Sequence, residues 1–191
     1  MRDLILDSGV IRKLWIGEAE SYRDHLLRLD EVSRLSRFGG AVTDDFIREY
    51  VKQMDGLSTV LHGYFVNGVL RGVGELRLFG LPLGDTAEAA FSIERPWQSH
   101  GVGSALLERT LLAARNRGIK HLHMACMNDN RRMQQLARKF EADLSFDFGT
   151  VIGEVEAPYP TPLSMWREIV FDGHGLASAM FDAQSRLLRS A

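Results

Sequence analysis

The stretch from Ala87 to Met127 constrains the fold of this chain most. Ala87–Ile93 (AEAAFSI) alternates as a strand. Val102–Arg117 then repeats apolar residues at helical spacing through Leu106, Leu107, Leu111 and Leu112, and Gly118 stands where a helix stops. Ile119–Met127 (IKHLHMACM) reads as a strand again. Two strands joined through a helix need a crossover connection, and a crossover implies a parallel pair. Upstream, Thr59–Val66 (TVLHGYFV) and Val69–Leu78 (VLRGVGELRL) are rich in β-formers. Asn67-Gly68 separates them, a two-residue hairpin turn whose positions both need φ > 0. A hairpin followed by a crossover gives an α/β fold with a mixed sheet.

The rest of the chain is read around that unit. Val10–Ile16 reads as a first strand, and Tyr22, Leu26 and Leu29 recur at helical spacing. Arg34–Gly40 reads as a connection ending in a Gly-Gly stop. Thr43 is a good N-cap, with Asp44 and Asp45 in the first turn, and Phe46, Ile47, Tyr50, Val51 and Met54 make one apolar stripe, so Thr43–Met54 is predicted helical. Leu81–Asp85 is predicted as a loop, Asn130–Phe140 as a helix, and Leu144–Glu156 as two short strands around Gly149 and Gly153. Ala157–Pro162 holds three of the five prolines, and Thr161-Pro162 marks a helix start. Leu163–Leu188 is helical in pattern but interrupted by Gly173 and Gly175. Residues 1–157 are therefore expected to form one domain and residues 158–191 a helical extension docked on it.

Composition excludes several classes. Lys+Arg total 23 against 25 Asp+Glu, a formal charge of −2, which argues against a dedicated nucleic-acid binder. The single cysteine, Cys126, leaves no intrachain disulfide and no cysteine-based zinc site, and it reads as a buried structural thiol. No apolar run is long enough to span a membrane. The opening MRDLILDSGV has no apolar h-region, so a cytoplasmic location is expected.

The chemistry is carried by Gln98-Ser99-His100-Gly101-Val102-Gly103-Ser104, at a strand-to-helix junction. Two glycines let backbone approach a phosphate, the first N–H groups of a helix lack intrahelical partners, and the helix dipole adds partial positive charge. Other nucleotide cradles fit poorly. There is no GxxxxGK[ST], and Leu106 stands where GxGxxG needs its last glycine.

Gln98-x-x-Gly101-x-Gly103, preceded by AEAAFSIERPW and followed by SALLERTLLAARNRGIKHLHM, resembles the acetyl-CoA-binding motif of the GNAT superfamily of N-acetyltransferases. The wording is most similar to GNAT domains of bacterial protein-acetyltransferase type. Asn130 followed by RRMQQLARKF looks like the next family segment. The resemblance implies a mostly antiparallel mixed sheet with one splayed parallel strand pair. It implies acetyl-CoA as cosubstrate and no metal. Backbone amides of Gln98, Ser99, His100, Gly101, Val102, Gly103 and Ser104 would hold the pyrophosphate. The strand around Phe91 and Ile93 would pair with the pantetheine arm, and Asn130 would contact it near the thioester. An amine, on a small molecule or a protein lysine, would attack the acetyl carbonyl directly, with no covalent enzyme intermediate and with backbone N–H groups stabilising the oxyanion.

An ammonium with a pKa near 10 must lose a proton before it attacks, so a base is needed. Glu88, on the strand leading to the cradle and sharing a face with Ala90 and Ser92, is the first candidate, against the reading of an exposed strand carboxylate. Glu75, on the hairpin, is the second. His62 is read as structural. His121 and His123 share a strand face, but no third metal ligand is evident. Arg34 and Arg37 read as a solvated charged loop, against the reading that they meet an acidic substrate, since the family builds its acceptor site partly from that region. The basic residues of Arg131–Lys139 read as a solvated helix face, with a place near the CoA 3′-phosphate as the alternative. The family's tyrosine seven residues after the Asn is replaced by Ala137, so a tyrosine acid does not carry over. Two other readings stay open: a non-catalytic acyl-CoA-binding regulatory module, and a partner-binding protein or homodimer that uses the C-terminal extension. The second requires Trp166, Phe171, Met180 and Phe181 to face outward.

Overall fold

Asn67 and Gly68 both adopt positive φ, 51° and 73°, and the hairpin they close sets the register of the sheet's first half. The computed structural model describes residues 9–80, 84–147, 150–156 and 159–173. In chain order the elements are β1 (Gly9–Lys13), α1 (Ala19–Arg28), α2 (Glu31–Phe38), α3 (Asp44–Lys52), β2 (Thr59–Val66), β3 (Val69–Phe79), β4 (Thr86–Ile93), α4 (Val102–Asn116), β5 (His121–Met127), α5 (Arg131–Lys139), β6 (Asp143–Asp147) and β7 (Thr150–Glu156). A further helix, α6, covers residues 162–173.

The seven strands form one sheet in the order β1-β2-β3-β4-β5-β7-β6. Every neighbouring pair is antiparallel except β4–β5, the pair joined by the α4 crossover. That parallel pair holds for only three rungs, Thr86–His121, Ala87–Leu122 and Glu88–His123. Beyond Glu88 the two strands part, and the gap between them is where the pockets described below open.

Each sheet face carries its own core. Leu107, Ala113 and Ala114 of α4 pack on Leu76, Ala87, Ala89, Leu122 and Met124, and Ala137 of α5 joins them. Tyr22 and Leu26 of α1 and Ile47 and Val51 of α3 pack on Phe65, Leu70 and Val73 of the other face. Each such Leu or Ile contributes about 1.5–3 kcal/mol by leaving water. The Thr43 side chain accepts from the Phe46 N–H at 3.2 Å, as its N-cap reading requires. Thr43→Ala is expected to cost about 1 kcal/mol, read as a lower urea midpoint at unchanged slope.

Three expectations need correction. Arg34–Gly40 is not a connection but mostly the last part of α2, so Arg34 and Arg37 are helical. Asp30 caps this helix through the Ser33 N–H at 3.1 Å, and Gly39 closes it in the left-handed conformation. Its apolar residues Val32, Leu35 and Phe38 do repeat at helical spacing, but across only eight residues, too short a run to announce a helix. The first strand ends at Lys13, because Ile16–Glu18 forms a tight turn held by the Glu18 carboxylate on Arg12, at 2.6 and 2.7 Å. Gly153 lies inside β7 rather than at a break, and Gly149 and Leu81 lie outside the described residues.

The helix at Thr161-Pro162 forms as expected, and α6 docks on the end of α4. The Ser164 hydroxyl donates to Asn116 Oδ1 at 2.6 Å, and Arg117 meets Glu168 at 2.8 Å. Trp166 faces outward, 64% exposed, with Leu163 and Ile169. Phe171 lies under the Arg109 guanidinium, 3.1 Å from ring centroid to carbon. Met180 and Phe181 lie outside the described residues. No helix among the described residues is long and apolar enough to cross a membrane.

Candidate active site

At the end of β4 the chain makes a short turn, Arg95–Trp97, and reaches the glycine pair. Ser99 takes φ 65°, and Gly101, the N-cap of α4, takes φ 83°. Glycine is the residue that adopts this left-handed geometry without steric cost. No side chain caps α4, and the first backbone bond there runs from the Ala105 N–H to the Gly101 carbonyl at 3.1 Å. The N–H groups of Val102, Gly103 and Ser104 therefore have no intrahelical acceptor. They open at a cleft of about 450 Å³ walled by Phe91, Ser92 and Ile93 of β4, by Gln98, Ser99, Gly101, Gly103 and Ser104, and by α5. The arrangement fits a phosphate-bearing ligand. The Val102 side chain points into the core, and the exposed His100 ring is held by its Nδ1 at 2.7 Å from the Gln98 carbonyl.

Side chains from α2 and α5 complete the cradle, and the reach of Gln98 was not visible in the sequence. The Gln98 amide donates to the Ile93 carbonyl at 2.8 Å and to Ser33 Oγ at 3.1 Å, and its oxygen accepts from Arg132. One side chain thus ties the cradle to β4, α2 and α5. Lys139 donates to Ser104 Oγ at 3.0 Å, so Lys139 and Arg132 of α5 sit on the cleft rim, the side of the two sequence readings that puts this basic face near the cofactor's phosphates. Asn130 lines the same cleft, but its Oδ1 is spent capping α5 through the Met133 N–H at 3.1 Å, which leaves its NH₂ for a ligand.

Beyond the last parallel rung lies a second pocket of about 410 Å³. Glu88 and Ala90 line it from β4, and Ala125, Cys126 and Met127 line it from β5. Arg37, Tyr50, Glu75 and Arg77 form its polar wall. Ser36 lines both cavities, so the end of α2 is their common wall. Glu88 and Ala90 share the expected face of β4.

The two candidate bases sit in opposite environments. Glu75 is 2% exposed and receives hydrogen bonds from Tyr22 at 2.7 Å, Arg37 at 2.6 Å, Tyr50 at 2.8 Å and Arg77 at 3.0 Å. Burial pushes its carboxyl up, but the Arg37 charge and the two tyrosine hydroxyls outweigh that and hold it below the usual range. Burial pushes Tyr22 and Tyr50 up, so both phenols stay protonated donors. Glu88 is half-buried at the mouth of the splay, and its carboxylate makes no hydrogen bond or ion pair among the described residues. Burial, aided by the Asp129 charge, pushes the Cys126 thiol up, so it remains a neutral lining group.

A second buried polar cluster anchors α1 beneath the cradle. His25 Nε2 lies 2.9 Å from Ser92 Oγ, and Glu94 accepts from Arg28 at 2.9 Å and Arg71 at 2.7 Å. Burial lowers the His25 pKa against the pull of Glu94, so the ring stays neutral. His62 is elsewhere, under α6 beside Arg109, where burial and the Arg109, Lys13 and Arg117 charges push it down to about 3. Arg34 pairs with Asp44 at 2.6 Å and lines neither cavity, whereas Arg37 lines the second one. His121 pairs with Glu154 at 2.7 Å.

Known proteins share this fold. The GNAT domain of S. lividans PAT superposes with a TM-score of 0.66 at 22% identity, over 76% of this chain and 89% of that one. A putative acetyltransferase from Salmonella typhimurium, solved with its cofactor acetyl-CoA, gives 0.59 at 16% identity, over 81% and 97%. The PaiA N-acetyltransferase from Thermoplasma acidophilum, solved with coenzyme A, gives 0.58 at 18% identity, over 78% and 99%. Identities this low establish a common fold and no more. Residues 25–141, more than half of the chain, also match the acetyltransferase (GNAT) family. With its splayed parallel pair and an uncapped glycine-led helix at the end of β4, this chain belongs to the GNAT acetyltransferase family.

Proposed function

We propose that the protein moves an acetyl group from acetyl-CoA to a primary amine by direct attack. The observation that carries this reading is the placement of Glu88. It is a carboxylate with no hydrogen-bond or ion-pair partner among the described residues, at the vertex of the β4–β5 splay and next to a cleft whose far end is a helix N-terminus capped by no described side chain.

The free N–H groups of Val102, Gly103 and Ser104, with Lys139 and Arg132 on the rim, would hold the phosphates. The edge of β4 that β5 leaves uncovered around Phe91 and Ile93, where Gln98 already holds the Ile93 carbonyl, would hold the extended arm together with the Asn130 NH₂. Acetyl-CoA supplies an activated acyl carbon when bound. Glu88 accepts a proton from the acceptor ammonium, directly or through one water, and frees its lone pair for attack. Glu75 does not compete for that proton, because its lone pairs are already engaged by two arginines and two tyrosines. Backbone N–H groups where the strands part would stabilise charge developing on the acyl oxygen. Ala137 is buried in the core and offers no acid, but a thiol with a pKa near 8.5 leaves without one.

Gly101→Val tests the cradle. A branched side chain at φ 83° costs roughly 1–2 kcal/mol and tilts the first N–H groups out of line. With two charge-assisted bonds weakened, acetyl-CoA affinity is expected to fall on the order of 100-fold, read as loss of the ligand-induced thermal shift. The reaction itself is tested by thiol release from acetyl-CoA across a panel of amines, with the acetylated amine identified by mass. Turnover that depends on the amine is expected. Binding of acetyl-CoA with no amine-dependent release would support the second reading, a non-catalytic acyl-CoA-binding module, which the buried Ala137 favours.

A further inference from the structure

The acceptor pocket has opposite charges on adjacent strands, and that pattern restricts what fits. Arg77 and Glu88 are directly paired in the β3–β4 register, so their side chains share a sheet face. Both line the pocket, yet they form no ion pair with each other among the described residues. Arg77 is drawn away instead. Its Nη2 donates to Tyr50 at 2.9 Å and to Glu75 at 3.0 Å. Arg37 likewise reaches Tyr22, Tyr50 and Glu75 through Nη2, at 3.3, 2.8 and 2.6 Å. A guanidinium has five N–H donors, so those on Nε and Nη1 of both arginines remain for a ligand.

The charge count points the same way. Two guanidinium cations face one buried carboxylate, Glu75, so this wall is net positive. Glu88 supplies a separate negative charge one cross-strand step away, with Cβ atoms about 5 Å apart. Both arginines also sit against the Tyr50 ring, 5.6 and 5.2 Å from its centroid, which fixes their planes. A planar fork held this way suits a carboxylate. Phe38 and Met127 give the pocket an apolar side, and its volume of about 410 Å³ suits a small molecule.

We propose that the acceptor is a short amino acid, its amine at Glu88 and its carboxylate on the free edges of Arg77 and Arg37. This rests on the acetyl-transfer reading above and names its substrate class. A simple amine leaves the arginine wall uncompensated. A protein lysine carries no anion within a few ångströms of its ammonium.

The test uses matched acceptors: phenylalanine, methionine, lysine and glutamate, each beside the amine left when its α-carboxylate is removed, and a lysine-containing peptide. The best amino acid is expected to exceed its decarboxylated partner by about 10- to 100-fold in kcat/KM, mostly in KM. Arg77→Gln should collapse that ratio towards one, and Arg77→Lys should restore part of it. An undiminished acetyl-CoA thermal shift shows that each variant is folded. If the decarboxylated amines or the peptide react equally well or better, the amino-acid proposal is wrong and acetyl transfer stands. If no acceptor releases CoA, the acetyl-transfer reading falls instead. Calorimetric binding of the same pairs to the CoA-loaded protein then decides the subsite: amino-acid binding lost in Arg77→Gln supports it, and no preference for the carboxylate overturns it.

Discussion

Glu88→Gln is expected to lower kcat/KM for the acceptor amine by about 100- to 10,000-fold at neutral pH, the range a positioned general base supplies. The substitution is nearly isosteric, and Glu88 has no partner among the described residues to be orphaned. Stability and acetyl-CoA binding should therefore change little. The pH dependence separates a base from a merely structural carboxylate. Below the pKa of the acceptor ammonium, near 10, each unit rise in pH gives about tenfold more free amine. The variant must rely on that free amine, so its rate should climb steadily with pH and its deficit should narrow by pH 9. An unchanged rate at pH 7 would place the base elsewhere.

The second large effect concerns stability. Arg37→Met is expected to cost about 3–5 kcal/mol, because it strips a cation from a carboxylate that stays buried. The side chains of Arg37 and Glu75 are 8% and 3% exposed, so solvent does little to screen the pair. Arg77 and the two tyrosines still bond Glu75, which puts the expected cost near the lower end. Adding Glu75→Leu should recover much of the loss, since a buried pair replaced by apolar groups often costs little. In the wild type Glu75 titrates below its unfolded value, so its contribution is complete above the ordinary carboxylate range. That contribution fades as pH falls through the folded pKa. Without Arg37 the largest influence holding Glu75 down is gone, so its folded pKa rises relative to wild type and acid costs the variant less stability than it costs wild type. Urea denaturation at pH 7 and pH 4.5 should show the gap shrinking at the lower pH. A gap that widens on acidification would contradict this account of Glu75.

Features that depend on neighbouring residues were legible in the sequence. Asn67-Gly68 set the hairpin because turn geometry is local, and the 87–127 unit set the parallel pair because a crossover has one topological solution. The cradle was legible because its work is done by backbone at a glycine-led helix start. The acceptor wall was not. Glu75 meets Tyr22, Arg37 and Tyr50 from 53, 38 and 25 residues away, on three different helices, and no spacing rule links them. The α2 helix escaped because it is only eight residues long: Val32, Leu35 and Phe38 repeat at helical spacing, but over barely two turns and just before Gly39-Gly40. Gln98 showed its position but not its reach to Ser33 and Arg132, 65 and 34 residues away.

Direct transfer at the splay is the central claim, and a single turnover tests it most directly. The protein is mixed with a slight excess of acetyl-CoA, with and without an accepted amine, and quenched over milliseconds to seconds. Intact protein mass and released thiol are read together. The account predicts thiol release only when amine is present, acetylated amine appearing in step with it, and a protein that never carries acetyl. An acetyl group accumulating on the protein before the product forms, on Cys126 or any other side chain, would contradict it.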